Sequence, residues 1–274
     1  MSPKKPAAAA TAALPARFAP IRSARAFEEI AQQIRDELAA GRLKVGSRLP
    51  SERSLSEQFG VSRNTLREAL RSLEHAGLVR LQKGATGGAF ITEGSGEAIT
   101  TGLMDLYHVG AIRPAALTEA RIWLESIVVR EACRRATAAD VEELNRNIAE
   151  TENAAREGDF ASRVALNVEF HRILARITGN PIIVIVMNGV LDVLSHFVGK
   201  IGEYPNSFVL PSRRRFMKHF VARDADAAVA EMEASLKRLQ RYYLSRVEPE
   251  GQRPKAADVA PAASAVRSLV RAAR

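Results

Sequence analysis

The sequence contains a single cysteine, few aromatic residues and no long apolar run. Cys133 is alone, which excludes an internal disulfide and a cysteine-based zinc finger. Aromatic residues make up 5% of the 274, which argues against a base-stacking platform for single-stranded nucleic acid. No stretch of about 18 uninterrupted apolar residues occurs, so we expect no membrane span and a cytoplasmic protein. The Ala run that follows Lys4 and Lys5 lacks the apolar density of a signal peptide.

Positive charge is concentrated in the first third of the chain. The formal net charge is +9. Residues 21–92 hold twelve basic and eight acidic side chains, whereas residues 93–247 hold twenty of each. A basic first part joined to a neutral second part predicts that a polyanion binds near the N-terminal end.

Changes in composition divide the chain into five segments. We expect a disordered Ala/Pro-rich tail over 1–20 and a disordered basic tail over 248–274. The small, polar residues 93–97 are typical of a linker. The two folded domains are then 21–92 and 98–247.

The first domain has the pattern of a winged helix-turn-helix. Apolar spacing predicts a helix over 26–40, a short helix between Ser51 and Gly60, and a third helix capped by Ser62. Two short helices joined by a three-residue turn with glycine form a helix-turn-helix. The strands LVRLQ and AFIT around a Gly-rich turn predict a small β-hairpin wing.

The third helix begins with residue types that read DNA. Arg63 and Arg67 are four residues apart and share a helix face, and Asn64 and Thr65 lie beside them. The N-terminal residues of a recognition helix face the major groove, where arginine binds guanine through two hydrogen bonds. Lys83, at the hairpin tip, is placed to contact a phosphate.

The run LPSERSLSEQFGVSRNTLREALRSLEHAGLVRLQKGATGGAFIT resembles the winged-helix domain of the GntR family of bacterial transcription regulators. The resemblance implies a homodimer on a palindromic double-stranded operator, and it adds Arg53 to the predicted contacts. The predicted DNA-binding set is Arg53, Ser62, Arg63, Asn64, Thr65, Arg67, Lys83 and Gly84.

The second domain is predicted to be an all-α antiparallel bundle of about seven helices. Such bundles hold ligands in their cores. Arg121 and Glu125 in TEARIWLE, and NVEFHRILARITGN at 167–180, resemble the FCD-type effector domain of the FadR-like branch of that family. The resemblance implies a sensor of small carboxylates.

Most FCD domains hold a metal through one Asp and three His, and this chain departs from that pattern. His171 matches, but Asn167, Arg213 and Ser235 stand at the other three positions. Divalent metals favour imidazole and carboxylate ligands, so we expect no metal and no cofactor. His196, on another helix, is interpreted as a core or interface histidine. The predicted effector-binding set, for a small organic acid, is Arg121, Asn167, His171, Arg213 and Ser235.

The sequence therefore favours a transcription regulator, acting as a repressor, whose operator affinity is controlled by a small carboxylate. One alternative is a constitutive DNA-binding protein with a degenerate pocket. Another is a helical-bundle enzyme, although the sequence contains no nucleophile elbow, P-loop, HExxH or dinucleotide-binding motif.

Overall fold

The computed structural model describes residues 25–84, 87–94, 96–202 and 207–247. Contacts divide the chain into two compact units, Met1–Asp105 and Leu106–Arg274. The boundary between the units falls inside a helix that begins at Glu97. Because Glu97 is already helical, the predicted linker 93–97 is one residue too long. The tails predicted over 1–20 and 248–274 lie outside the described residues.

The first unit is a winged helix, as predicted. Its elements are α1 (Ala26–Ala39), α2 (Glu52–Phe59), α3 (Arg63–His75), β1 (Val79–Gln82) and β2 (Gly88–Ile91). The two strands pair antiparallel with Val79 opposite Ile91. The loop before α2 extends this hairpin, because the Leu49 amide donates to the Ala89 carbonyl at 2.8 Å.

Local sequence fixes the helix-turn-helix ends. The Ser51 side chain accepts from the Ser54 amide, and the Ser62 side chain accepts from the Thr65 amide. Gly60 ends α2 with φ +67°, a conformation that glycine adopts without strain. Between these ends, the apolar faces of α1, α2 and α3 form one core around Phe59. Truncating such a buried phenylalanine to alanine costs about 3–5 kcal/mol.

The remaining helices confirm the prediction of an all-α second part. They are α4 (Glu97–His108), α5 (Pro114–Arg135), α6 (Ala138–Glu157), α7 (Phe160–Ile177), α8 (Pro181–Ile201), α9 (Val209–Val221) and α10 (Ala225–Val247). Most of α4 belongs to the first unit, and its last three residues belong to the second. In the second unit α5 packs mainly against α10, and α6 against α7. Phe170, Phe216 and Phe220 are fully buried between these helices.

Helix α8 departs from the expectation that no segment could span a membrane. By length and composition alone it is long and apolar enough to do so. From Met187 onward, however, most of its apolar side chains are buried in the helical unit, with Met187 and Leu191 wholly enclosed, whereas Ile182 in its first turn is 69% exposed. Its Asp192 carboxylate accepts a hydrogen bond from Arg172 on α7. We therefore interpret α8 as a core helix of the bundle.

Candidate DNA-binding surface and effector pocket

The N-terminal turn of α3 presents two free polar side chains. Arg63 and Asn64 are exposed, and neither side chain is hydrogen-bonded to a residue that the structure describes. Ser62 and Thr65 instead bind each other, with their hydroxyl oxygens 2.9 Å apart. The capping pair orients the turn, and Arg63 and Asn64 are available to a partner.

Two other predicted arginines are paired with acids. Arg67 donates to Glu52 at 2.8 Å, and Arg53 donates to Glu57 at 3.0 Å. All four side chains are substantially exposed, and such surface pairs contribute only about 0.2–1 kcal/mol. Both arginines can therefore exchange a carboxylate for a phosphate or a base at little cost.

A cleft of about 790 Å³ lies between α3 and the wing. Lys83 and Gly84 are exposed at its edge. Its charged lining residues are four basic and two acidic side chains: Arg48, Arg67, Arg71, Lys83, Glu52 and Glu74. The excess of positive charge matches a nucleic-acid backbone.

Arg48 was missed by the sequence analysis. Its guanidinium donates to the Gly87 carbonyl and lies 5.8 Å from the centroid of the Phe90 ring. A Cβ on Gly88 would lie 2.9 Å from Arg48 Nε, so that the Arg48 side chain would have to shift, and the Gly88 φ of +153° is one that other residues rarely adopt. Arg48 thus braces the wing from the neighbouring loop. No local motif signals this role, because it depends on the pairing of that loop with β2.

All five residues of the predicted effector-binding set line one cavity in the second unit. The cavity has a volume of about 50 Å³. One molecule in liquid water occupies about 30 Å³. Arg121 comes from α5, Asn167 and His171 from α7, Arg213 from α9 and Ser235 from α10. Helix α8 completes the wall with Leu194, Ser195 and Val198.

The two arginines of the cavity are buried and differ in their contacts. Arg121 is 6% exposed, and its guanidinium makes no hydrogen bond to a residue in the described part of the chain. Arg213 donates to the Asn167 carbonyl at 2.9 Å, and its guanidinium lies 4.2 Å from the centroid of the Phe170 ring. Arg214 and Arg215 point outward and pair with Glu152 and Glu231.

His171 is held by a buried carboxylate. Its Nδ1 lies 2.8 Å from Glu125 Oε1, and both side chains are almost fully enclosed. Burial lowers the pKa of His171 to about 4, and Arg121 and Arg213 act in the same direction against the attraction of Glu125. The ring is therefore neutral at pH 7, with Nδ1 donating to the carboxylate and Nε2 left as an acceptor. Glu125 marked the family pattern in the sequence, but nothing local indicated its hydrogen bond to His171.

The cavity does not fit the metal that most FCD domains hold. Among the residues that the structure describes, no group of three or more His, Cys, Asp or Glu is arranged to bind a metal ion. Asn167, Arg213 and Ser235 stand at three of the four ligand positions that the resemblance implies, and Arg213 brings a fixed cation into the cavity.

Fold and geometry together define a two-unit protein with a winged helix-turn-helix and a helical bundle that encloses a basic cavity. The family profile described as bacterial regulatory proteins, gntR family, matches residues 26–91, and that of the FCD domain matches residues 116–238. The HTH-type transcriptional repressor NanR of Klebsiella aerogenes is 30% identical over 190 residues, which cover 68% of this chain and 72% of that protein. The chain belongs to the GntR family and carries an FCD domain.

Two further proteins extend the comparison. NanR of Enterobacter sp. (strain 638) is 35% identical over 168 residues, 60% of this chain; the match spans 62% of the length of that relative. The structure of Streptococcus agalactiae GntR superposes with a TM-score of 0.61 at 24% identity, covering 79% of this chain and 99% of that one. This second similarity shows the shared fold. The curated relatives are named as transcriptional repressors, not as enzymes.

Proposed function

We propose that the protein is a homodimeric repressor that binds a palindromic double-stranded DNA operator. The observation that carries this proposal is the exposed, unpaired Arg63–Asn64 turn of a capped recognition helix. In the wing, Lys83 and Gly84 contact the phosphate backbone of the DNA. The rest of the binding surface is formed by Arg53, Ser62, Thr65 and Arg67. The repressor names of the relatives support repression as the sign of regulation, and a DNA-bound regulator of this kind acts in the cytoplasm.

The operator affinity is controlled by a small organic acid bound in the helical unit. This part of the proposal rests on Arg121, a buried guanidinium with no hydrogen-bond partner among the described residues. Burying an unpaired charge costs several kcal/mol, and a carboxylate that accepts two guanidinium hydrogen bonds offsets that cost.

The charges around His171 favour the same class of ligand. The charged groups that act on its imidazole are Glu125, Arg121 and Arg213, which is one carboxylate against two guanidiniums. Because His171 itself is neutral, this cluster carries one excess positive charge. An anionic ligand balances it without a metal ion. Ser235 and the Asn167 side chain, whose Oδ1 has no partner in the described structure, are placed to bind polar groups of the ligand.

A constitutive DNA-binding protein with a degenerate pocket is the alternative reading of this cavity. Thermal unfolding of the full chain in excess EDTA, with acetate, pyruvate or succinate as probes, separates the two. We expect at least one acid to raise the unfolding temperature. Arg121→Gln and Arg213→Gln should weaken that effect at least tenfold, since hydrogen bonds to charged groups contribute about 1.5–3 kcal/mol. Arg214→Gln, which changes an exposed neighbour, is the matched control.

The same variants separate sensing from DNA binding. Arg213→Gln should bind the operator as tightly as the unaltered chain but should no longer respond to the acid. Stabilisation that persists in both pocket variants, or that disappears with EDTA, would show that the acid or a metal binds differently from this proposal.

A further inference from the structure

Two of the five histidines meet outside the effector pocket. His108 lies at the end of α4 and His196 lies in α8, and their Nε2 atoms are 3.2 Å apart. The ring centroids are 5.1 Å apart and the ring planes are inclined by 78°. Neither residue lines the effector cavity.

The spacing of the two nitrogens matches that of imidazoles sharing a metal ion. With Zn–N bonds of about 2.0–2.1 Å and tetrahedral angles, two ligand nitrogens are about 3.3 Å apart. We propose that His108 and His196 together bind one divalent transition-metal ion, such as Zn²⁺, Ni²⁺ or Cu²⁺, through their Nε2 atoms. Water completes the coordination, because no third His, Cys, Asp or Glu joins the pair among the residues described.

The pair is accessible to an ion. His108 is exposed, so an ion can reach the pair from solvent. Burial, Lys200 and His108 all lower the pKa of His196. Lys200 also opposes the ion, although its ammonium lies over the Tyr107 ring, 5.6 Å from the centroid. Two protein ligands and a nearby cation give a modest affinity, below that of a four-ligand structural site.

The ion would stabilise the packing of α4, which is weakly packed. No residue of α4 is buried, and in its last turn Tyr107 makes edge contacts with His196 and Phe197, with centroids 6.0 and 6.5 Å away. A metal shared by His108 and His196 adds a bond between that end of α4 and α8. An ion that binds only the folded chain also stabilises it by mass action.

Calorimetric titration of the untagged full chain with NiCl₂, ZnCl₂ and CuCl₂ at pH 7.5 tests the proposal, with MgCl₂ as the negative probe. We expect one ion per chain, with Cu²⁺ bound more tightly than Ni²⁺ or Zn²⁺. His108→Gln and His196→Gln should each weaken binding at least tenfold, and Lys200→Gln should tighten it severalfold. His75→Gln and His219→Gln serve as matched controls and should bind as the unaltered chain does.

His108 is exposed, so its variant should keep the metal-free unfolding temperature, which separates lost ligation from lost folding. Binding that survives in both His108→Gln and His196→Gln would overturn the proposal. So would the absence of saturable Cu²⁺ binding below about 1 mM, since the two-imidazole chelate would then not form. The organic-acid response does not enter this test, so the two proposals can fail separately.

Discussion

The His171 imidazole donates from Nδ1 to the Glu125 carboxylate across 2.8 Å in the interior of the helical unit. Glu125 lies one turn after Arg121 on α5, so a single helix carries both the carboxylate that orients the imidazole and a guanidinium that lines the cavity. A buried carboxylate holding a neutral histidine fixes the ring tautomer. Burial of the imidazole, which lowers the pKa of His171, makes folding stability depend on pH.

The first prediction follows from the lowered pKa of His171. Its pKa falls from 6.5 to about 4 on folding, so between these values the unfolded chain binds a proton that the folded chain does not. The stabilising contribution is therefore present above pH 6.5 and is lost as the pH falls toward 4. The loss amounts to about 3 kcal/mol in the free energy of unfolding. Urea unfolding at pH 7.0 and at pH 4.5 measures most of it.

Carboxylates elsewhere also respond to acid, so the comparison variant is His171→Gln. Glutamine can donate to Glu125 but does not titrate. The unaltered chain should lose more stability over this pH interval than the variant does, by a difference approaching that same amount. Equal losses in the two chains would show that His171 does not remain neutral in the folded protein.

Local signals account for the parts of the fold that could be predicted. The helix-turn-helix is determined by Ser51, Gly60 and Ser62, whose contacts reach no more than four residues along the chain. Such short-range signals can be recognised in the sequence alone. Asp159 caps the start of α7 in the same way, because its side chain accepts a hydrogen bond from the Ser162 amide. The all-α character of the second part was predicted from local signals of this kind.

Long-range pairings account for what could not be predicted. Arg48 braces Gly87 across 39 positions, and His171 meets Glu125 across 46. His108 and His196 are 88 positions apart. In each case the packing of separate elements creates the pairing, and the neighbouring residues in the sequence do not indicate it. The family resemblance predicted the five residues of the effector-binding set. Residue spacing alone could not have shown that four separate helices bring them to one cavity.

The second prediction concerns base recognition. Arg63→Ala should weaken operator binding by about 1–3 kcal/mol and relax base preference, because we expect the free guanidinium to read a base edge. Arg67→Ala should act similarly. Glu52→Gln should tighten binding severalfold, since it releases Arg67 and removes a negative charge beside the phosphates. Fluorescence anisotropy at fixed physiological salt measures all three. Unchanged affinity in Arg63→Ala would contradict the assignment of α3 as the recognition helix.

The third prediction concerns the wing. Lys83 is exposed at the cleft edge, where we expect it to contact phosphate without reading a base. Lys83→Ala should therefore weaken binding to operator and unrelated DNA about equally, and should reduce the slope of log affinity against log salt by about 1. Lys237→Ala, in the helical unit and paired with Glu233, is the control. A loss confined to the operator would instead assign Lys83 to base recognition.

The fourth prediction concerns the homodimer. Trp123 is 62% exposed and Ile127, one turn later on α5, is 55% exposed. The opposite face of α5 is buried against α10, so this helix is apolar on both sides. A helix with two apolar faces is usually buried on both faces. We therefore expect a second copy of the chain to cover the exposed face of α5.

In a two-fold interface a residue near the axis faces its own copy. Trp123→Glu should therefore place two carboxylates near one another, dissociate the dimer at micromolar concentration and weaken operator binding, because a single half-site remains. Trp123→Phe should keep the dimer. Ile182→Glu changes an equally exposed apolar residue, 69% exposed on α8, and should leave the assembly intact. Light scattering after size-exclusion chromatography gives the mass, and thermal unfolding shows that the fold is kept. A dimer that persists in Trp123→Glu but dissociates in Ile182→Glu would assign the interface to α8 instead.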